Sequence, residues 1–132
     1  MYIMIPRSFS DIPSGSTYLE SSMVALYDEP ADKQAKILVN ETHPSTGEKV
    51  TYCIKYPADK NPVWPVVRLA EMHLIIAEMK ARQGTVDVTD YNKVRQMRNA
   101  SLKQNSNFAS AAAFLNEIEN KRRRELVAEG LR

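Results

Sequence analysis

The stretch WPVVRLAEMHLIIAEMKARQG, from Trp64 to Gly84, constrains the fold of this chain more than any other feature. Pro65 suits the first turn of a helix and Gly84 suits the position after its end, so the stretch is predicted to form one long helix. Apolar residues occur on every side of that helix, from Val67 to Met79. A helix that is apolar all round is normally buried, so the rest of the chain has to cover it.

Two further helices are predicted after the long one. TDYNKVRQMRNA begins with Thr89 or Asp90 as its cap, and SAAAFLNEIENKRRRELVAEG begins with Ser110 as its cap and stops at Gly130. The short link between the first two helices predicts that they pack antiparallel. The apolar stripe of the last helix is predicted to contain Phe114, Leu115, Ile118 and Leu126.

The first half of the chain has a different character, with six of the seven prolines before Pro65. AKILVN and KVTYCIKY are rich in β-branched and aromatic residues and flank a Pro-Ser-Thr-Gly turn, which predicts a β-hairpin. STYLESSMVALYDE has apolar residues at helical spacing and predicts a short helix over residues 17–27, with Ser16 as its cap. The chain is therefore predicted to be a single partial domain, with an irregular segment over 1–62 and a helical core over 63–132.

Composition and motifs exclude several classes of function. Eighteen Lys and Arg against sixteen Asp and Glu give a net charge of +2, which is too balanced for a dedicated nucleic-acid binder. Cys53 is the single cysteine, so it is predicted to pack inside a strand rather than to form a disulfide or a zinc site. His43 and His73 have no second ligand at metal-binding spacing, and no phosphate loop or nucleophile elbow occurs. No cofactor, metal or enzymatic activity is predicted.

Charged residues of the long and terminal helices raise a structural question. The long helix has little room for a solvated face, so some of its charges are expected to be enclosed, and enclosed charges need partners. The terminal cluster RRRELVAEGLR can supply them, although a solvated face for that cluster as a whole remains an alternative. The predicted structural ion-pair network consists of Arg68, Glu71, Glu78, Arg123, Glu125 and Glu129.

Three blocks of the sequence resemble the carboxy-terminal half of the SusD/RagB family. They are WPVVRLAEMHLIIAEMKARQG, YNKVRQMRNA and IENKRRRELVAEGLR, and their order and spacing agree with the family. Arg-x-Ala-Glu ahead of Leu-Ile-x-Ala-Glu is one hallmark, and Arg-Arg-Glu-Leu-x-x-Glu-Gly-x-Arg is the other. ALYDEPADKQAKILV is similar to the Tyr-x-x-x-Asp-x-Arg region of the family, with Gln34 about where an Arg is common.

The resemblance implies a fold and a function. The fold would be mainly α, with a tetratricopeptide-like antiparallel helix pair, a closing carboxy-terminal helix and a small β-hairpin segment. Family members are surface lipoproteins of the Bacteroidetes outer membrane that bind glycans or other nutrients and deliver them to a SusC-like TonB-dependent transporter. They are not enzymes. Trp64 and Tyr52 are the candidate ligand-binding residues, because aromatic rings serve as platforms for sugars, although a Trp before a helix more often packs.

The resemblance also predicts that the chain is a fragment of a longer protein. Family members are several times longer and carry an amino-terminal signal and a lipidated cysteine, and the internal Cys53 cannot be that anchor. Without the earlier helix pairs, the face around Leu69, Met72, Ile76 and Met79 is expected to be exposed and to drive homodimer formation. The alternative function is that of a cytosolic tetratricopeptide-like module that binds a peptide in a groove.

Overall fold

Four α-helices and one β-hairpin make up the part of the chain that a computed structural model describes, residues 18–43, 45–55 and 68–127. The helices are α1 (Ser21–Val24), α2 (Leu69–Arg82), α3 (Thr89–Met97) and α4 (Ala111–Glu125), and the strands are β1 (Leu38–Thr42) and β2 (Lys49–Cys53). Short 3-10 turns lie at Ala35–Ile37 and Asn105–Asn107. This architecture confirms the predicted mainly α fold with a small hairpin.

The hairpin forms where two β-branched runs flank a turn. Strands β1 and β2 pair antiparallel, with Leu38 opposite Cys53 and Thr42 opposite Lys49. Gly47 has a φ of 72° in the turn, which is a conformation that glycine adopts without steric cost. Cys53 is buried at the end of β2, in agreement with its predicted packing role.

Helix α2 packs against both α3 and α4, and the core lies between these three helices. A line of small and medium residues on α2 faces the core at helical spacing, and α3 and α4 contribute larger side chains to it. The core consists of Ala70, Leu74, Ala77, Ala81, Val88, Tyr91, Val94, Phe114 and Ile118.

The prediction that α2 is enclosed on all sides is wrong for one of its faces. Its buried residues are Ala70, Leu74, Ala77 and Ala81. The larger apolar residues face outward, with exposed fractions of Leu69 65%, Met72 41%, Ile75 40%, Ile76 43% and Met79 53%. Helices α3 and α4 cover the small-residue face, and the large-residue face stays open.

Helix boundaries agree with the prediction in some places and correct it in others. Ser110 caps α4, because its Oγ accepts a hydrogen bond from the amide of Ala113 at 3.1 Å. Gly84 follows the end of α2 with a φ of 85°. Thr89 and Asp90 are not caps: they lie in the first turn of α3, and Val88 precedes the helix.

The first predicted helix is much shorter than the range 17–27. Only Ser21–Val24 is helical, with Glu20 as its N-cap. After this short helix, the hydroxyl of Tyr27 donates to the carbonyl of Arg124 in α4 at 3.3 Å. This contact directs the chain away from the helix axis. Ser16, Trp64, Pro65, Glu129 and Gly130 lie outside the described residues.

Candidate functional site

The segment 27–34 follows α1 and lies across the ends of α3 and α4. Backbone and side-chain bonds hold it there: the amide of Lys33 donates to the carbonyl of Arg98 at 2.8 Å. Nη1 of Arg124 donates to the carbonyl of Leu26 at 3.0 Å, and the amide side chain of Asn99 donates to the carbonyl of Ala31 at 3.3 Å. This docking brings the acidic residues of the segment against cations of the two helices.

A buried lysine cluster forms on one side of the segment, from Lys121, Asp32, Gln34, Glu125 and Arg98. Nζ of Lys121 lies 3.2 Å from the carboxylate of Asp32, 2.7 Å from the amide oxygen of Gln34 and 3.7 Å from Glu125. Nε and Nη2 of Arg98 donate to the two carboxylate oxygens of Glu125 at 3.0 and 2.6 Å. The Lys121 side chain is fully buried, so these acceptors replace the water that it loses.

The charges of the lysine cluster influence one another. Burial lowers the pKa of Lys121 and outweighs the opposite effect of Asp32 and Glu125. For Arg98, the hydrogen bonds to Glu125 raise the pKa and outweigh burial. Since Glu125 bridges Arg98 and Lys121, this cluster fastens α4 to the end of α3 and to the segment 27–34.

A polar cleft of about 310 Å³ opens on the other side of the segment. Six charged side chains line it, together with Asn107 and the ring of Phe108. The charged residues are Asp28, Glu29, Arg95, Lys103, Glu117 and Arg124. They come from the segment, the end of α3, the link before α4, and α4 itself, so the cleft exists only when these elements are docked.

Two ion pairs form the wall of the cleft. The buried guanidinium of Arg95 pairs with Glu29, and that of Arg124 pairs with Glu117 at 2.8 Å. The hydroxyl of Tyr91 also donates to Glu117, at 2.5 Å. Burial alone raises the pKa of Glu29, but hydrogen bonds from Arg95 and Ser101 prevail and lower it to about 2. Glu29 therefore stays ionised at neutral pH.

The structure brings two members of the predicted ion-pair network into contact with cations of α4. The carboxylate of Glu78 lies 2.7 Å from Arg82 and 2.6 Å from Arg122, and Glu125 belongs to the lysine cluster.

Arg68 is half-buried, and its Nη1 donates to the carbonyl of Glu125 at 3.4 Å. Glu71 is half-buried and Arg123 is exposed.

The two candidate ligand-binding residues lie apart from the cleft or outside the described residues. Tyr52 is buried in β2, and its hydroxyl donates to Glu41 of β1 at 2.7 Å. Burial, together with this bond, raises the pKa of Tyr52 to about 12. Its ring is therefore enclosed, while Trp64 lies in the part of the chain that the structure does not describe.

Sequence reasoning missed Lys121, Asp32 and Gln34 as buried polar residues. One signal was present: positions 114, 118, 121 and 125 share one face of α4 at helical spacing. Phe114 and Ile118 predict that this face is buried, so Lys121 and Glu125 on the same stripe are enclosed as well. No comparable pattern marks Asp32 or Gln34, because they lie in irregular chain.

Within the described part of the chain, His73 and the other charged groups do not form a metal site. The ring of His73 hydrogen-bonds to Asp90 at 3.0 Å, and Lys80 pairs with Asp87 at 2.6 Å. Among the described residues no group of His, Cys, Asp or Glu is placed to hold a metal ion. In that same part of the chain, none of the helices has the length and apolarity that a membrane crossing requires.

Comparison with known proteins identifies the family. No curated protein and no solved structure matches the chain. The family model described as the SusD family matches residues 27–132, a range that contains both strands, α2, α3 and α4, the lysine cluster and the polar cleft. Proteins of that family are nutrient-binding surface proteins rather than enzymes, and because the match spans most of the chain, the chain belongs to the SusD family.

Proposed function

We propose that this chain works in nutrient capture as part of a surface lipoprotein of the outer membrane, which binds a glycan and delivers it to a SusC-like TonB-dependent transporter. The observation that carries the proposal is the family match over residues 27–132. Within that range α2, α3 and α4 pack around one core, and buried ion pairs fasten the irregular segment to them. This construction suits a rigid scaffold that presents a binding surface.

The transporter part of the proposal is tested by co-purification. The tagged protein is isolated from outer membranes of its host in mild detergent, and the associated proteins are identified by mass spectrometry. We expect a TonB-dependent transporter to co-purify. Recovery of the protein from the cytosolic fraction, bound to a soluble partner, would instead support a cytosolic tetratricopeptide-like interaction module. A gene that encodes a signal peptide and a lipidated cysteine beside a transporter gene would argue against that module.

The glycan part is tested by calorimetry with a panel of oligosaccharides. In this chain Tyr52 is buried, and the ring that lines the cleft, Phe108, packs against the core rings of Tyr91 and Phe114. We therefore expect no micromolar dissociation constant for the isolated chain. A micromolar constant for any oligosaccharide would show that residues 1–132 contain a complete glycan site.

We also propose that the isolated chain forms a homodimer through α2. The exposed large-residue face of that helix supports this, because contiguous apolar surface favours association. A two-fold dimer buries the same face on both copies.

A further inference from the structure

The polar cleft has the size and the lining of a site for a small polar molecule. Its volume of about 310 Å³ is at the small end of ligand sites in proteins. Three carboxylates and three cations line it, so its total charge is zero. Such a balanced lining does not favour a simple anion or a simple cation, and the ligand class depends on which of these charges are already paired.

Four of the six charges neutralise one another in the wall. Arg95 is 2% exposed and pairs with Glu29, whose other carboxylate oxygen accepts from the amide and hydroxyl of Ser101 at 3.0 and 2.8 Å. Arg124 is 7% exposed and pairs with Glu117. Both guanidinium groups therefore have a carboxylate partner before any ligand binds, and breaking a buried pair of this kind costs several kcal/mol.

The other two charges remain open to a ligand. Asp28 is exposed, and within the described part of the chain its carboxylate makes no hydrogen bond or ion pair. Nζ of Lys103 lies 4.0 Å from Glu29, which is the outer limit of an ion pair. Among the described residues, the cleft therefore presents one carboxylate without an ion pair, Asp28, and one ammonium group with only a long ion pair, Lys103.

A buried donor adds an independent indication of a ligand. Nε of Arg124 is buried, and among the described residues it has no hydrogen-bond acceptor. A buried donor without an acceptor destabilises the folded state. Arg124 lines the cleft, so a ligand bound there lies beside a side chain whose hydrogen-bonding capacity is not fully used.

We propose that the cleft binds a small zwitterion of the α-amino acid class. The ligand carboxylate would lie at Lys103 and the guanidinium of Arg124, and the ligand ammonium group at Asp28. Asn107 provides an amide beside them. A neutral sugar fits less well, because it leaves both open charges without a counterion. The ring of Phe108 also packs against the core rings of Tyr91 and Phe114, with centroids 6.3 and 4.8 Å away.

The test is a titration of the purified chain, followed by NMR of its backbone amides. The probes are glycine, L-alanine and L-serine. Acetate and methylammonium are controls that each carry one charge, and glucose is the neutral control. We expect amino acids to shift amides of the segment 27–34 and of the link 101–108, with a dissociation constant on the order of 1 mM. Acetate and methylammonium are expected to bind at least about tenfold more weakly, because each satisfies only one of the two open charges.

Matched variants make the assignment specific. Asp28→Asn and Lys103→Gln are each expected to weaken amino-acid binding about tenfold, since each removes one charge contact. Glu48→Gln and Lys49→Gln remove exposed charges in the hairpin, away from the cleft, and should leave binding unchanged. Circular dichroism spectra check that all four variants are folded.

Three outcomes would overturn the proposal. The first is that no amino acid binds up to about 50 mM, which is well above the expected dissociation constant. The second is that the cleft variants bind amino acids as well as the unchanged chain does, and the third is that glucose binds while amino acids do not. None of these results bears on delivery to a transporter, which the co-purification experiment tests separately. Amino-acid binding without a transporter partner would in turn support the cleft and contradict the delivery proposal.

Discussion

Lys121 occupies a position in α4 that an apolar residue fills in most helical cores. Its side chain is fully buried, and it is stable there because Asp32, Gln34 and Glu125 all offer oxygen atoms to its ammonium group. The neighbouring Arg123 is exposed. A single turn of one basic cluster therefore contains both a core residue and a solvated residue.

Replacement of Lys121 by Met is expected to cost roughly 3–5 kcal/mol of unfolding free energy, because it leaves the buried carboxylate of Asp32 without its cation and leaves Glu125 with Arg98 alone. The matched control is Arg123→Met, which changes an exposed cation of the same cluster and should stay within about 0.5 kcal/mol. Urea denaturation followed by circular dichroism measures both. Similar losses for the two variants would show that burial of Lys121 does not control stability.

The stability of the folded chain is expected to depend on pH through Glu29. Its pKa is about 2 in the folded chain against 4.5 for the ordinary carboxyl, so it binds protons more readily in the unfolded chain. The stability that its ionised form contributes is therefore present above pH 4.5 and is lost as the pH falls through 2. Consequently Glu29→Gln should destabilise the chain at pH 7 and have a much smaller effect near pH 2.

Thermal melts at several pH values check this prediction. Glu48→Gln, an exposed change in the hairpin, serves as the control and should have little effect at either end of the range. An equal loss for Glu29→Gln at pH 7 and at pH 2 would mean that the Arg95–Glu29 pair does not contribute through its charge.

At the scale of elements, local signals were sufficient for some boundaries but not for others. Ser110 could be recognised as a cap because an N-cap needs only a side-chain oxygen near its own helix. The extent of α1 could not be recognised, since Leu26 and Tyr27 are held by Arg124, which is 97 residues from Tyr27 in sequence. The polar cleft escaped prediction for the same reason, because its wall joins residues of the segment to α3 and α4.

The end of α2 gives a prediction at this scale. Gly84 has a φ of 85°, and a Cβ placed there would meet no atom within 4 Å. The cost of Gly84→Ala therefore comes from the backbone conformation alone and is expected to be about 1 kcal/mol. Gly84→Asn should cost less, because Asn tolerates a positive φ, as Asn99 does at 59°.

Chemical denaturation of the two Gly84 variants under identical conditions provides the comparison. The order glycine, then asparagine, then alanine from most to least stable is the expected result. If alanine proved as stable as glycine, the chain would be leaving α2 through a different conformation from the one observed.

For the whole molecule, the unusual feature is that the larger apolar residues of α2 face outward while alanines fill the core side. The mainly α fold was predictable because periodicity is a local property of the sequence. The apolar pattern alone does not distinguish the covered face of α2 from the open one. The open face around Leu69, Met72, Ile76 and Met79 was predicted from the resemblance to longer proteins, in which earlier helix pairs would pack against it, and these residues are exposed.

The open face of α2 has a pattern that suits a second copy in antiparallel orientation. A two-fold axis between Ile75 and Ile76 would place Met72 opposite Met79 of the other copy. We therefore expect the isolated chain to dimerise at about 0.1 mM, since contiguous exposed apolar surface of this kind drives association.

Light scattering after size exclusion measures the mass, which should be twice 15.0 kDa for the unchanged chain. Ile76→Glu places two like charges at the axis and should give a monomer. Leu102→Glu, which changes an apolar residue 60% exposed outside α2, should leave the dimer intact. A monomer of 15.0 kDa for the unchanged chain, with no binding of a dye that reports apolar surface, would refute the dimer. It would also show that the face on α2 is covered in solution by the chain itself.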